Sequence, residues 1–245
     1  MDLFDCNCCF GPMARPAERY APDAAALLAE MDFCGIDRAL PYHVGMRFGV
    51  AHEWNDRLVR EVAALPRLQP TWTILPAQTG EMPAPAALLA AMRASGVRAL
   101  RAFPDEHHYR LNRATFGELF DLLSERRVPL FVKQNIVAIG DLVAEFPRLI
   151  VVAVNQGPHS LERYLRPLMD RHANLHVETS HYMVAGLIEE SVERYGPHRL
   201  LFGSGFPDVC SGAALLRLAR AEIDDDARAA IAGANLERLL SEVQI

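Results

Sequence analysis

The sequence predicts an α/β protein, a (β/α)8 TIM barrel with a C-terminal helical tail, and three observations support this fold class. Short apolar runs typical of fully buried strands alternate with longer segments whose apolar residues recur at helical spacing. There are eight such runs, and buried strands separated by helices pair in parallel through helical crossovers. The length of 245 residues suits one barrel and no Gly/Ser-rich linker interrupts it, so we expect a single domain over residues 1–245.

Eight candidate strands follow one another along the chain. Each is short and dominated by apolar residues, as expected for strands that are covered on both faces. In chain order they are LFDCNCCF from Leu3, DRALPY from Asp37, PTWTILP from Pro70, VRALRAF from Val97, PLFVKQ from Pro129, LIVVAVN from Leu149, NLHVETS from Asn174 and RLLFGSG from Arg199.

The alternative architecture is a doubly wound open sheet. The first turn, FGPMARP, lacks the G-x-G-x-x-G phosphate fingerprint of dinucleotide-binding sheets, which weakens that alternative.

Helical segments fill the intervals between the strands. The first runs from Asp23, a residue type preferred at N-caps, to Gly35, a typical C-terminal stop. A later segment starts at Thr115 with Glu118 three residues on, which is the pattern of a capping box. In chain order the segments begin at Asp23, His52, Ala84, Thr115, Gly140, Ser160 and Val184, and a helical tail begins at Asp224.

The composition excludes several classes of protein. Hydrophobic residues make up 51% of the chain and the formal net charge is −6, which is incompatible with disorder throughout. An acidic chain without a clustered basic face does not suit a nucleic-acid partner. No apolar run approaches the ~18–20 residues of a membrane span, and the N-terminus does not resemble a secretory signal. We therefore expect a soluble cytoplasmic protein with a small-molecule ligand and no membrane partner; a homo-oligomer is compatible with these observations.

Five cysteines, three of them within residues 6–9, do not suggest a disulfide framework, because their number is odd and the expected compartment is reducing. The spacing C-x-C-C also lacks a distant partner motif for zinc. Period-two alternation places Asn7 and Cys9 on one face of the first strand and Cys6 and Cys8 on the other. We expect the first pair to face the barrel interior and the second pair to pack against helices. Cys9 is then either a nucleophile activated by a nearby base or cation, or a structural thiol.

Polar residues at the carboxyl ends of the strands mark the candidate site, because that end of a TIM barrel carries the active site. The candidate catalytic residues are Lys133, an amine that emerges from a buried strand, and His181, an imidazole that titrates near neutrality. The candidate substrate-binding residues are Asn7, Cys9, His43, Arg101, Asn155, His159, Glu178 and Asp208. The planar fork of Arg101 suits a carboxylate or phosphate. Two structural alternatives stay open: an ion pair of Lys133 with a glutamate such as Glu178, and solvated or capping roles for the histidines.

Six segments, in order along nearly the whole chain, resemble the amidohydrolase-related, metal-dependent TIM-barrel hydrolases. FDCNCCFG from Phe4 resembles the family opening IDxHxHxG, and CGIDRAL from Cys34 resembles GIDRAV. The other four are SGVRALRAFP from Ser95, similar to GVRGVKLHP, VAVNQGP from Val152, similar to LAHLGGP, LLFGSGFP from Leu200, similar to ILFGSDYP, and IAGANLERLL from Ile231, similar to ILGENAARLL. The resemblance implies the same barrel fold over nearly the whole chain.

The resemblance also implies metal ligands, and this chain departs from the family pattern at each of them. The two strand-1 histidines of the family correspond here to Asn7 and Cys9, and the strand-6 histidine corresponds to Asn155. The strand-8 aspartate corresponds to Gly205, and the strand-5 position is Lys133. Zinc prefers histidine nitrogen, thiolate and carboxylate, so only Cys9 is of a suitable ligand type. The metal-activated water of the family is therefore not supported here, and we expect neither a metal nor another cofactor.

The resemblance implies chemistry on a small anionic or carbonyl metabolite, such as a lactone or a carboxylated ring, because the family includes lactonases and decarboxylases. The first hypothesis is a divergent hydrolase-family enzyme that works without a metal. In it Arg101 and Lys133 bind a carboxylate, His181 or His43 moves the proton, and asparagines donate hydrogen bonds. The second is a catalytically inactive descendant that binds a ligand or a protein partner. The third is a rebuilt metal site drawn from Cys9, His181, Asp208 and Cys210.

Overall fold

The computed structural model describes residues 1–13, 18–156 and 162–245. Its strands are β1 Phe4–Asp5, β2 Cys9–Phe10, β3 Arg38–Ala39, β4 Tyr42–His43, β5 Trp72–Thr73, β6 Leu100–Ala102, β7 Leu130–Val132, β8 Val151–Ala153, β9 Leu175–Glu178 and β10 Leu200–Leu201. Its α-helices are α1 Ala24–Cys34, α2 Gly45–Phe48, α3 Ala51–Val62, α4 Pro85–Ser95, α5 Pro104–His107, α6 Arg113–Glu125, α7 Ile136–Glu145, α8 Glu162–Arg171, α9 Leu187–Tyr195, α10 Ser211–Arg220, α11 Asp225–Ala229 and α12 Asn235–Ser241. A π-helical stretch, Ala230–Ala234, joins the last two helices.

The strands occupy the eight positions of a parallel barrel. A continuous sheet has the order β10-β9-β8-β7-β6-β5, while the first two barrel strands are each split into two short pieces, paired β1-β3 and β2-β4. Backbone hydrogen bonds close the ring: Cys6 N–H donates to Phe202 O at 2.9 Å, and Gly205 N–H donates to Asn7 O at 2.9 Å. On the other side Ala39 bridges to Leu68, just before β5. The TIM barrel predicted from the sequence is therefore confirmed.

The interior of the barrel and its outer face have separate hydrophobic clusters, since alternate residues of a strand point to opposite faces. The inner cluster contains Phe4, Phe131 and Val152 from the strands together with Leu236 and Leu240 of α12. The C-terminal tail therefore covers the amino end of the barrel and leaves the opposite end open. Among the described residues no helix is long and apolar enough to cross a membrane.

Gly233 lets the π-helical stretch approach the first strand closely. A Cβ at this position would lie 2.6 Å from Asp2 O and 3.2 Å from both Cβ and N of Phe4. We expect Gly233→Ala to destabilise the fold by about 1–3 kcal/mol, because backbone atoms cannot move aside cheaply. Urea unfolding measures the change. The control is Gly212→Ala in α10, where the nearest atom is 3.9 Å away and alanine favours the helix; equal stability of the two variants would contradict the steric argument.

All eight predicted strands are present, but several boundaries differ from the prediction. Helix α6 is capped by Asn112, whose side chain accepts from Thr115 N–H, so the predicted start at Thr115 is wrong by one turn. Helix α7 begins at Ile136, capped by Asn135, instead of at Gly140. Helix α10 was not predicted at all. Its buried residues Ser211, Ala214 and Leu218 lie three and four residues apart, which is the spacing of one helix face, so the helical pattern was present in the sequence.

The expected alternation in the first strand is wrong beyond Asp5. The chain bends between β1 and β2, so the strand is interrupted over residues 6–8. As a result Cys6 lies in the inner hydrophobic cluster and does not pack against the outer helices. Period-two alternation cannot be carried across such an interruption.

Candidate active site

Glu178, the last residue of β9, is the buried acid at the open end of the barrel and is fully excluded from solvent. Its Oε2 accepts from Asn7 Nδ2 at 2.9 Å, Asn155 N–H at 3.2 Å and Ser180 Oγ at 2.9 Å, while Ser180 N–H donates to Oε1. Burial raises the pKa of Glu178 to about 7, although these hydrogen bonds favour the charged form. An acid with this pKa changes protonation state near neutral pH, as a proton-transferring group must.

His181 extends this cluster through Ser180. Ser180 Oγ lies 2.8 Å from His181 Nδ1 as well as 2.9 Å from the carboxylate. Burial lowers the pKa of His181, with the positive charges of Arg217 and Lys133 acting in the same direction and Asp208 opposing them. The imidazole is therefore neutral at pH 7 and has one free lone pair for use as a base. We call Asn7, Asn155, Glu178, Ser180 and His181 the amide–carboxylate cluster.

Asn7 and Asn155 follow the ends of their strands and lie in hydrogen-bond contact. Asn7 Nδ2 donates to Asn155 Oδ1 at 2.5 Å in addition to its bond with Glu178. Asn155 has φ 54°, a left-handed conformation in which asparagine is favoured over most residues. Asn155 thereby presents its N–H to the carboxylate and its amide oxygen to Asn7, which gives this residue a geometric role that histidine would fill less well.

A second group, the ion-pair cluster, consists of Arg47, Glu106 and Lys133. Glu106 Oε1 accepts from Lys133 Nζ at 2.8 Å and from Arg47 Nη2 at 2.7 Å. Burial raises the pKa of Glu106, but the hydrogen bonds from both cations outweigh burial and hold it below the usual value. The ion pair foreseen for Lys133 is present, with Glu106 and not Glu178 as its carboxylate. Lys133 is the single lysine of the chain and keeps 27% of its side chain exposed.

Arg101 lies deeper in the barrel than the other predicted site residues and is 1% exposed. Its Nη2 donates to Cys6 O at 2.7 Å and to Leu40 O at 2.6 Å, and its Nε donates to Thr71 Oγ1 at 3.2 Å. Burial lowers its pKa. These bonds link the first four barrel strands through two backbone carbonyls and one hydroxyl, and they engage much of the planar fork. Arg101 thus connects neighbouring barrel strands. It belongs neither to the amide–carboxylate cluster nor to the ion-pair cluster.

His43 and Asp208 border a side cavity of about 680 Å³ that adjoins the open end of the barrel. The His43 ring is buried, stacks on Trp54 at 4.3 Å and accepts from Gly45 N–H through Nδ1 at 3.0 Å. Asp208 is half exposed, and its Oδ2 lies 3.9 Å from Arg47 Nη1. Arg47 and Asp208 line this cavity, and Arg47 also belongs to the ion-pair cluster, so the two regions are continuous. The predicted residue His159 lies outside the described residues.

Cys9 is buried beside Tyr42 at the same end of the barrel. Burial raises the pKa of the Cys9 thiol to about 12, and the hydrogen bond from Tyr42 only partly offsets it. A thiol with this pKa is protonated at neutral pH and is a poor nucleophile and metal ligand. The geometry therefore favours the structural role over the nucleophilic role for Cys9.

We expect Cys9 to resist alkylation in the folded protein at pH 8, because the thiolate fraction is very small and the sulfur is buried. Peptide mapping by mass spectrometry after iodoacetamide treatment measures this, with exposed Cys210 as the internal control. Alkylation of Cys9 at a rate close to that of Cys210 would contradict the assignment. In denaturant both residues should react.

The donors present at this end of the barrel do not fit a divalent metal ion. Asn7 turns its amide nitrogen toward the two acceptors in the cluster, and the ammonium of Lys133 repels a cation. At Gly205, φ is +68° and a Cβ would lie 2.8 Å from Ser180 Cβ, so a metal-binding side chain has no room there. The described residues contain no group of three His, Cys, Asp or Glu side chains that could hold a metal. We therefore derive no chemistry through a metal.

Three residues of the site were not among the candidate catalytic or binding residues, although Glu106 and Ser180 belong to the polar residues noted at the strand ends. Glu106 follows β6 as Lys133 follows β7, and adjacent parallel strands bring such residues together, so this pairing was accessible from the topology. Ser180 lies two residues after Glu178, and its role depends on a turn that the sequence does not specify. Arg47 belongs to the short helix α2, which carried no recognised motif.

Comparisons with known proteins give concordant results. A family model described as amidohydrolase matches residues 9–241, whereas no curated protein matches the sequence. The solved 5-carboxyvanillate decarboxylase from Sphingomonas paucimobilis is similar, with 17% identity, TM-score 0.78 and coverage of 98% of this chain and 99% of that chain. A putative 2-pyrone-4,6-dicarboxylic acid hydrolase from Pseudomonas putida has 17% identity, TM-score 0.73 and 98% coverage of each chain. An uncharacterised TIM-barrel protein from Bordetella bronchiseptica has 16% identity, TM-score 0.78 and 99% coverage of each chain.

Proposed function

Because the chain belongs to the amidohydrolase family, we propose that it binds a small carboxylated ring or carboxylated lactone at the open end of the barrel and catalyses a proton-transfer reaction on it without a divalent metal. The observation that carries this proposal is the presence of two groups at the carboxyl ends of the strands, close enough for the charge of Lys133 to act on His181. One is a pair of cations, Arg47 and Lys133, and the other is a neutral imidazole, His181, backed by a buried acid, Glu178.

The ion-pair cluster is the part of the site suited to an anion. Glu106 uses a single oxygen, Oε1, for both cations, and an ammonium has three donor hydrogens, so Lys133 has donors left for a ligand carboxylate. Charge-assisted hydrogen bonds of this kind are stronger than neutral ones. The similar structures include enzymes named for a carboxylated aromatic acid and for a pyrone dicarboxylic acid. A ligand with at least one carboxylate therefore suits this end of the barrel.

The side cavity supplies the apolar part of the ligand site. Trp54 and Phe48 line it, and Trp54 is held by its stack on His43 and by the close approach of two glycines. A Cβ at either Gly45 or Gly49 would lie 2.2 Å from the Trp54 ring. The indole is thus fixed before a ligand arrives, which lowers the entropic cost of binding an apolar group beside it.

His181 is the residue proposed to transfer the proton. In hydrolysis of a lactone, the imidazole takes a proton from the attacking water and returns it to the leaving alkoxide. In loss of CO₂ from a carboxylated ring, the imidazole passes a proton to the ring carbon as the bond to the carboxylate carbon breaks, and it regains a proton from solvent. In both cases the cations of the ion-pair cluster hold a substrate carboxylate and stabilise the developing negative charge.

Turnover of a panel of carboxylated lactones and hydroxylated aromatic carboxylates, followed by ultraviolet absorbance in the presence of EDTA, tests the proposal. Lys133→Met should raise KM or Kd about 10- to 100-fold, the worth of one hydrogen bond to a charged group. Arg110→Met, at an exposed arginine, serves as the matched control. An unaffected Lys133→Met variant would remove the anion-binding role, and activity that disappears with EDTA and returns with a divalent ion would overturn metal independence.

The single lysine allows a direct readout of ligand binding. An amine-reactive acylating reagent can modify only Lys133 and the N-terminal amine, so mass spectrometry reports on the site itself. We expect a bound carboxylate ligand to slow acylation of Lys133 while the N-terminus is modified at an unchanged rate.

A ligand-binding protein without turnover is the second candidate, and a specific observation favours it. Glu106 already neutralises charge from both cations in the free protein, and every family metal-ligand position is substituted. Such a protein would shift its melting temperature in the presence of the panel compounds and yield no product. The same panel therefore separates the two candidates.

A further inference from the structure

We propose that Glu178, Ser180 and His181 form a proton relay in which Nε2 of His181 exchanges a proton with the substrate while Ser180 and Glu178, as positioning residues, fix the tautomer of the imidazole. The proposal deepens the function proposed above, since it assigns how the base at that site is prepared. It rests on two short distances, 2.9 Å from Ser180 Oγ to Glu178 Oε2 and 2.8 Å from Ser180 Oγ to His181 Nδ1.

The hydrogen-bond donors around the carboxylate determine the direction of the relay. Ser180 has one hydroxyl proton and lies between two neighbours that can both accept it. When Glu178 is ionised it cannot donate, so the hydroxyl donates to Oε2 and its own oxygen must accept from His181 Nδ1–H. The neutral imidazole is then protonated on Nδ1 and its lone pair is on Nε2. Among the described residues none forms a hydrogen bond with that nitrogen, which leaves Nε2 free to meet a substrate.

The proton movements balance without any further reactant. A new N–H bond forms at Nε2 as the substrate loses a proton, and the Nδ1–H bond breaks as its proton passes to Ser180 Oγ. The original hydroxyl proton of Ser180 passes at the same time to Oε2 of Glu178. The chain ends with a neutral imidazole protonated on Nε2 and a neutral carboxylic acid, and the reverse sequence returns the proton to the product.

The environment of Glu178 supports its place as the buried end of the relay. The carboxyl group is fully buried, and burial disfavours its charged form. Protonating Glu178 at neutral pH therefore costs far less free energy than protonating a surface carboxylate. The charged groups that act on it are Asp5 from β1 and Arg217 from α10, while Asp208, Arg217 and Lys133 act on His181. Protonation of Glu178 near pH 7 gives a relay whose activity as a base rises with pH through about 7.

Long-range ¹H–¹⁵N correlation spectra of the labelled protein test the tautomer independently of any substrate. The signals of His181 are assigned by their loss in His181→Gln. At pH 8 we expect Nδ1 to be the protonated nitrogen in the native protein. Ser180→Ala should shift the signals toward a mixture of tautomers, and Ser180→Thr, which keeps the hydroxyl, should restore the native pattern. The control is Ser124→Ala, since Ser124 Oγ donates to Phe120 O within α6.

A kinetic test uses any substrate found among the carboxylated lactones and hydroxylated aromatic carboxylates of the panel. Ser180→Ala should lower kcat/KM about 10- to 100-fold and flatten the rise with pH, while KM changes little. Protonation of His181 on Nε2 at pH 8 in the native protein, or a tautomer unchanged by Ser180→Ala, would overturn the relay. A correct tautomer in a protein that turns over no panel compound would instead leave the relay standing and count against the proposed function. If Ser180→Ala fails to fold, the native spectrum and Ser180→Thr still decide the question.

Discussion

Replacing Gly203 with alanine is expected to disable the site by displacing Glu178. A Cβ at this position would lie 2.3 Å from Oε1 and 2.6 Å from Cδ of Glu178. The carboxylate cannot swing aside freely, because Asn7, Asn155 and Ser180 hold it from the other directions. Accommodation of the methyl group therefore breaks several hydrogen bonds to a buried acid.

The expected result is loss of turnover, or of the Nδ1-protonated state of His181, together with a decrease in the free energy of unfolding of about 1–3 kcal/mol. Urea unfolding gives the second quantity, and a native circular dichroism spectrum confirms that the barrel remains. Gly212→Ala is again the matched glycine replacement, in open space. Activity and stability close to those of the native protein would show that the carboxylate is not fixed as described.

Arg101→Met is expected to cost more stability than either Gly203→Ala or Gly233→Ala. The guanidinium is buried, and it donates to Cys6 O and Leu40 O from neighbouring barrel strands. Methionine has a similar length but no donor, so both carbonyls lose a partner in the interior, each at a cost of about 1–3 kcal/mol. The aromatic rings of Tyr42 and Phe131, 5.1 Å and 5.0 Å from the guanidinium, lose their cation as well.

Chemical denaturation measures this effect, and Arg110→Met at the exposed arginine controls for the loss of one positive charge. Arg101→Lys is the informative companion, because an ammonium keeps the charge and reaches fewer acceptors than the planar fork. It should fall between the native protein and the methionine variant. A methionine variant as stable as the native protein would show that the carbonyls find other partners, and would make Arg101 a candidate ligand-binding residue again.

The fold was predictable because its signal is repeated eight times along the chain. Each buried strand is apolar on both faces and each is followed by a helix, so an error at one boundary leaves the architecture intact. Local signals were weaker. The capping pattern at Thr115 competed with Asn112, which also has a side chain suited to an N-cap and lies one turn earlier.

The candidate site was predictable to the level of which strand ends carry polar residues. Asn7, Asn155 and Glu178 meet because parallel strands bring their carboxyl ends to one rim. The depth of Arg101 along its strand, and the choice of Glu106 over Glu178 as the partner of Lys133, depend on side-chain reach and loop conformation. Neither property has a periodic signature in a single sequence.

The barrel closes between β10 and the first barrel strand, β1 and β2, whose pieces are only two residues long each. The candidate active site spans this junction. Asp5 Oδ1 accepts from both Asn7 N–H and Ser204 N–H, at 2.9 Å each, so one carboxylate fastens the first strand to the last. Asn7 then reaches across to Glu178. Local opening of this junction would admit water to Glu178 and lower the free-energy cost of its charge while the six-stranded sheet stays folded. The chemistry of the site is consequently coupled to the hydrogen bonds that close the ring, and opening of this junction should inactivate the protein before the sheet melts.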